Sequence, residues 1–111
     1  MHIDFDSIEE VRNPEFKGGT GAALLRSYVD DSIRIMRGIL EPGSSIGLHT
    51  HEGTSETVYI LEGTGKVLYD GIEIPLHTGS CHYCPEGHSH SLINNTDKPL
   101  KFLGIVPNLE R

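Results

Sequence analysis

The residues best equipped for chemistry in this sequence are His49 and His51, followed by Glu56. On an extended strand, side chains two positions apart share a face, with their alpha carbons about 6–7 Å apart. Two imidazoles so placed converge on one point and form a metal clamp. The four residues between His51 and Glu56 include Gly53, Thr54 and Ser55, which let the chain turn. Glu56 can therefore return on the neighbouring strand as a carboxylate ligand. A fourth ligand is still needed, and the stretch from Gly79 to Asn94 holds a candidate in His90.

The two stretches together resemble the cupin superfamily. Its first motif (Gly, five residues, His-x-His, three or four residues, Glu, six residues, Gly) is met by Gly43, His49, His51, Glu56 and Gly63. Its second (Gly, five residues, Pro-x-Gly, two residues, His, three residues, Asn) is met by Gly79, Pro85, Gly87, His90 and Asn94. The motifs stand in the family's order and cover roughly half the chain. The resemblance implies an all-β fold, a small antiparallel jelly-roll β-barrel with the metal inside. It assigns one divalent transition metal (Fe, Mn, Zn or Ni) to His49, His51, Glu56 and His90. The motif glycines, Pro85 and Asn94 take structural roles.

Three neutral imidazoles and one carboxylate around a divalent ion leave a net charge near +1 and, at six-coordination, two open positions. Such a centre suits ligands that offer two oxygens, such as an alpha-hydroxy acid, an enediol, a catechol or a beta-dicarbonyl. It serves as a Lewis acid or, with iron, holds substrate beside dioxygen. The resemblance thus implies a metalloenzyme acting on a small oxygen-bearing metabolite, with dioxygenase-type chemistry placed first. The alternatives are a non-redox isomerase, lyase or decarboxylase on a sugar or hydroxy acid, and a non-catalytic module that binds metal or a small ligand.

Other residues are assigned from pattern. His88 lies two before His90, and with Tyr83 it is the candidate catalytic acid or base near the metal, since imidazole titrates near neutrality. Gly87 permits a twist that would turn His88 to the rim instead. His2 and His77 read as solvated, and His82 leans to a structural role. Alternation from Glu56 sends Val58 and Ile60 inward and Tyr59 outward. Val58, Ile60 and Leu92 are the candidate cavity lining. The register of Arg34, Met36 and Arg37 stays open; an inward arginine would suit an anionic substrate. Cys81 and Cys84 have C-x-x-C spacing but lack the other two ligands of a zinc knuckle, and read as reduced, semi-buried residues.

These side chains need a scaffold of strands. The 111 residues fit one domain, and 13 glycines supply the tight turns of an all-β fold. Residues 1–20 read as an N-terminal edge strand and loop anchored by Ile3, Phe5, Ile8 and Val11, and residues 21–111 as the barrel domain. Strands are expected over residues 22–29, 33–40, 66–69, 72–76 and 100–106. Asp70 and Gly71 form a two-residue hairpin turn.

The net charge of −7, with nine dispersed Lys and Arg, argues against nucleic acid as a partner. No apolar run approaches the roughly 20 residues of a membrane span, and the start lacks the basic and apolar regions of a signal peptide. Cytoplasmic location is the expectation, with a small-molecule substrate. Open sheet edges in so small a barrel call for a homodimer, with Tyr59 and Leu61 as candidate surface.

Overall fold

The computed structural model describes residues 1–110; Arg111, the last residue of the expected barrel domain, lies outside the described residues. The expected antiparallel β-barrel is built from strands β1 (Val11–Pro14), β2 (Ala22–Val29), β3 (Ile33–Leu40), β4 (His49–Thr50) and β5 (Glu56–Glu62). The second half supplies β6 (Thr64–Tyr69), β7 (Ile72–His77), β8 (Cys81–Cys84), β9 (Ser89–Ile93) and β10 (Leu100–Pro107). They form a six-stranded sheet in the order β1-β2-β3-β10-β5-β8 that faces a four-stranded sheet in the order β4-β9-β6-β7.

The boundaries follow from local chemistry. β3, β5 and β10 are rich in β-branched and aromatic residues, and buried positions alternate with more exposed ones along them, the pattern of strands with one face in a core. The β6–β7 hairpin turns on Asp70 (φ 47°) and Gly71 (φ 83°), two successive left-handed residues whose twist matches that of the flanking strands. The inward residues Leu40, Ile60, Val67, Leu100 and Phe102 are at most 1% exposed and fill the space between the sheets. Asn94 is also fully buried. Its Nδ2 donates to the carbonyls of Leu40, Glu41 and Lys98, and its Oδ1 accepts from the Thr96 amide and hydroxyl, which fixes the loop between β9 and β10.

The N-terminal segment differs in detail from the sequence reading. β1 is the edge strand beside β2, but the expected anchor Val11 is half exposed. Phe16 packs against the core instead, in a single 3-10 turn over Phe16–Gly18, and its carbonyl accepts from the Gly47 amide. The segment therefore lies against the stretch that leads into His49.

Candidate metal centre

The three histidines come from one sheet. His49 and His90 are cross-strand partners in the β4–β9 ladder, which places their side chains side by side. His51 extends that ladder, its amide donating to the His88 carbonyl and its carbonyl accepting from the Gly87 amide. Glu56 does not return on a strand bonded to β4, as the sequence reading had it. It opens β5 in the facing sheet, so the turn at residues 52–55 crosses from one sheet to the other and the carboxylate meets the imidazoles across the interior.

The donor atoms converge. His90 Nε2 lies 2.9 Å from His51 Nε2, 3.1 Å from His49 Nε2 and 2.9 Å from Glu56 Oε1. Glu56 Oε1 is 3.2 Å from His51 Nε2 and 3.9 Å from His49 Nε2. His51, Glu56 and His90 are all buried, at most 8% exposed. Metal–nitrogen and metal–oxygen bonds of about 2.0–2.2 Å put adjacent donors roughly 3 Å apart, which these separations match.

The donor chemistry agrees with the distances. His49 Nδ1 lies 2.7 Å from the Gly47 carbonyl, an acceptor only, so Nδ1 carries the proton and the inward Nε2 is a lone pair. His51 Nδ1 meets the Thr54 hydroxyl at 2.9 Å, and His90 Nδ1 meets His82 Nε2 at 3.0 Å. Outer partners thus orient all three rings, as ligating histidines require. Burial works strongly against ionising Glu56, yet the close approach of the His49, His51 and His90 imidazoles outweighs it and holds the carboxyl far below the usual carboxylate range. One carboxylate and three inward lone pairs are a site for a cation.

Space for the carboxylate depends on Gly104. A Cβ there would come within 3.2 Å of both Glu56 Oε2 and Met36 Cγ. Glycine on β10 therefore clears the strand between the carboxylate and Met36.

Above the donors opens a cavity of about 300 Å³. Val58 and Leu92 line it as expected, but Ile60, fully buried deeper along β5, belongs to the core and not to the lining. Phe16, Lys17 and Glu52 contribute to the wall from loops, and nothing in their local sequence pattern marked them. The open question of register on β3 is resolved. Arg34 and Met36 face the cavity, whereas Arg37 points outward and pairs with Asp6 at 2.6 Å.

The structure does not bring His88 and Tyr83 to this cavity. Tyr83 is 57% exposed on the outer face of β8, between the inward His82 and Cys84. His88 precedes β9, because the left-handed Gly87 (φ 87°) breaks the alternation. Its ring stacks on Tyr69, and its Nδ1 meets Asp70 Oδ2 at 2.5 Å.

His82 is the functional neighbour that the sequence reading underweighted. Burial chiefly, and the proximity of His90, push its pKa down to about 4, against the opposing pull of Glu56. It is therefore neutral at physiological pH, and its Nε2 can accept a hydrogen bond from His90 Nδ1–H. Cys84 lies behind it with its thiol pushed up to about 11, first by burial and then by the Glu56 and Asp70 carboxylates. Cys81 is exposed and Cys84 fully buried, so neither is the semi-buried residue expected, and the two are unpaired.

Comparison with known proteins agrees with this geometry. A cupin domain family model matches residues 36–106. An oxalate-binding protein of Thermotoga maritima is 42% identical over 112 aligned residues, spanning 96% of this chain and 93% of that protein. A crystal structure described as a predicted oxalate decarboxylase, also from Thermotoga maritima, superposes with a TM-score of 0.91 at 31% identity, covering 98% of this chain and all of the other. A cupin sugar phosphate isomerase from Silicibacter pomeroyi superposes at 0.79 with 26% identity, over 96% of this chain and 75% of its own. A family match that takes in all four converging donors, on a barrel shared along nearly its whole length, means that the chain belongs to the cupin superfamily.

Proposed function

We propose that this chain holds one divalent transition metal through His49, His51, Glu56 and His90 and uses it to bind and cleave oxalate or a closely related small carboxylate. The observation that carries the proposal is the convergence of four donors, 2.9–3.9 Å apart, at the floor of a cavity open to a small ligand. The oxalate-binding relative, similar along nearly its entire length, supports the ligand class. When bound, the metal supplies the charge that polarises a chelated carboxylate and, as iron or manganese, a redox partner for dioxygen-dependent chemistry. The chain's own residues keep the histidine lone pairs inward, hold Glu56 ionised and surround the ligand with Met36, Val58 and Leu92, which exclude water.

Oxygen-dependent chemistry is placed ahead of pure Lewis-acid work because the expected proton shuttles, His88 and Tyr83, stand outside the cavity, which leaves that task to Glu52 and Lys17 on its wall. The unpaired cysteines fit a reducing compartment, which supports the cytoplasm. Exposed Tyr59 and Leu61 on β5 support a homodimer.

The test is calorimetry with oxalate on manganese-, iron- and zinc-loaded protein, followed by carbon dioxide and oxygen assays under air and under argon. Binding that needs the metal and is lost in His49→Ala supports the reading. A metal-loaded protein that ignores oxalate and short hydroxy acids overturns it. Binding without turnover in every metal form would leave a binding module in place of an enzyme.

A further inference from the structure

Among the described residues, Arg12 pairs with Glu41, Arg26 with Glu10 and Arg37 with Asp6. Arg34 has no such partner. It forms no ion pair, its Nε is shielded from solvent and makes no hydrogen bond, and the side chain lines the cavity that contains the metal donors. A buried guanidinium donor without an acceptor is costly to keep, and a ligand in the cavity would relieve that cost.

The sheet register places this arginine relative to the metal. Arg34 on β3 is opposite Val106 on β10, and the adjacent Ile105 is opposite Thr57, next to Glu56, on β5. Arg34 and Glu56 therefore flank β10 at nearly the same height, two inter-strand spacings or about 10 Å apart at their alpha carbons. Both side chains turn inward. Met36, Val106, Phe102 and Val58 provide apolar wall between and beneath them. The cavity of about 300 Å³ has room for about ten waters at about 30 Å³ each, far more than oxalate occupies.

We infer that the site is built for a dicarboxylate longer than oxalate, a 2-hydroxy or 2-oxo diacid of four or five carbons. Its alpha-oxygenated head sits at the metal and its distal carboxylate sits on the Arg34 guanidinium. The planar fork of arginine matches a carboxylate in two parallel hydrogen bonds, and the short carbon chain lies along the apolar wall. The inference rests on metal chelation of a carboxylate, as proposed above, and adds the second anion and the residue that selects it.

Arg34 also borders a shallow groove on its other side, where Glu9 is the one carboxylate on the wall. Glu9 is the alternative partner, so a Glu9→Gln variant serves as control.

The experiment compares malate with 2-hydroxybutyrate, which shares the head and chain length but ends in a methyl group, by calorimetry on metal-loaded protein. Wild type and Glu9→Gln should prefer malate by about 10–100-fold, the worth of one charge-assisted pair. Arg34→Met should reduce that preference to about threefold or less, with metal content and 2-hydroxybutyrate affinity unchanged, and Arg34→Lys should recover part of it. A wild type that binds both acids equally overturns the inference alone, as does a malate preference that survives in Arg34→Met. Failure of both acids to bind the metal-loaded wild type overturns the inference together with the chelation reading beneath it.

Discussion

His90 is the donor whose tautomer is most exposed to perturbation, because its two nitrogens face different histidines. Nε2 must present a lone pair to the cation beside Glu56, so Nδ1 must keep its proton and donate it to His82 Nε2, 3.0 Å away. His82 is 7% exposed, and its ring is held edge-on by Tyr69 at 5.3 Å between centroids. In His82→Leu the cavity stays filled, but the His90 Nδ1–H is buried without an acceptor. Such a group costs about 1–3 kcal/mol, which converts to metal binding weaker by about 5- to 150-fold. A loss of about 10- to 100-fold, within that range, is typical when an outer hydrogen-bond partner of a ligating histidine is removed. His82→Gln, whose amide oxygen can accept, should recover most of the loss. The assay is competition for zinc or manganese against a chromophoric chelator, with melting of the chelated variants to establish that both fold. A His82→Leu protein that binds metal within about twofold of wild type would refute the assigned proton position. So would a Gln variant no better than Leu, since acceptor character would then be irrelevant.

Three further outcomes follow from the same geometry. Asn94→Ala removes five hydrogen bonds, one buried and four part-buried, at about 1 kcal/mol each with partial rehydration, and should lower stability by about 3–5 kcal/mol in urea denaturation without changing the slope. Chelation should lower the melting temperature yet leave a β-type circular dichroism spectrum, because the core around Leu40, Ile60 and Phe102 does not include the metal ligands; a chelated protein unfolded at 25 °C would contradict this. The hydrogen bond from His88, then that from the Ser89 amide, holds Asp70 below its ordinary range. Its contribution is therefore present above about pH 4 and lost as pH falls through the lower folded value. The urea midpoints of wild type and Asp70→Asn should differ at pH 6 and converge in strong acid.

Much of the site could be read from the sequence because its signals are local. His49 and His51 are two apart, and the spacing from Pro85 through Gly87 to His90 is set by one short turn. The strand limits were legible for the same reason: alternation and the Asp70–Gly71 turn act within a few residues. What escaped depended on contacts between distant segments. Glu56 is five residues from His51, but only the packing of two sheets shows that it belongs to the opposite one. His88 kept the right spacing to His90, and the φ of Gly87 turned it away. Nothing near Arg34 reports its direction, because it is set by pairing with Val29 on one side and Val106 on the other. Phe16 sits in a polar, glycine-flanked stretch that gives no periodic signal, and it reaches the core only because its turn docks beside Gly47.

The division of the donors between sheets has a kinetic consequence. Three histidines ride on the four-stranded sheet and the lone carboxylate on the six-stranded one, and the outermost donors, His49 and His90, are far apart along the chain but adjacent in a ladder. No contiguous fragment that ends before β9 offers the full set, and neither sheet completes it until the two have docked. An ion so held is a clasp fastened after closure. It should leave the refolding rate nearly unchanged while slowing unfolding, since its binding energy is absent from any transition state in which the sheets are still apart.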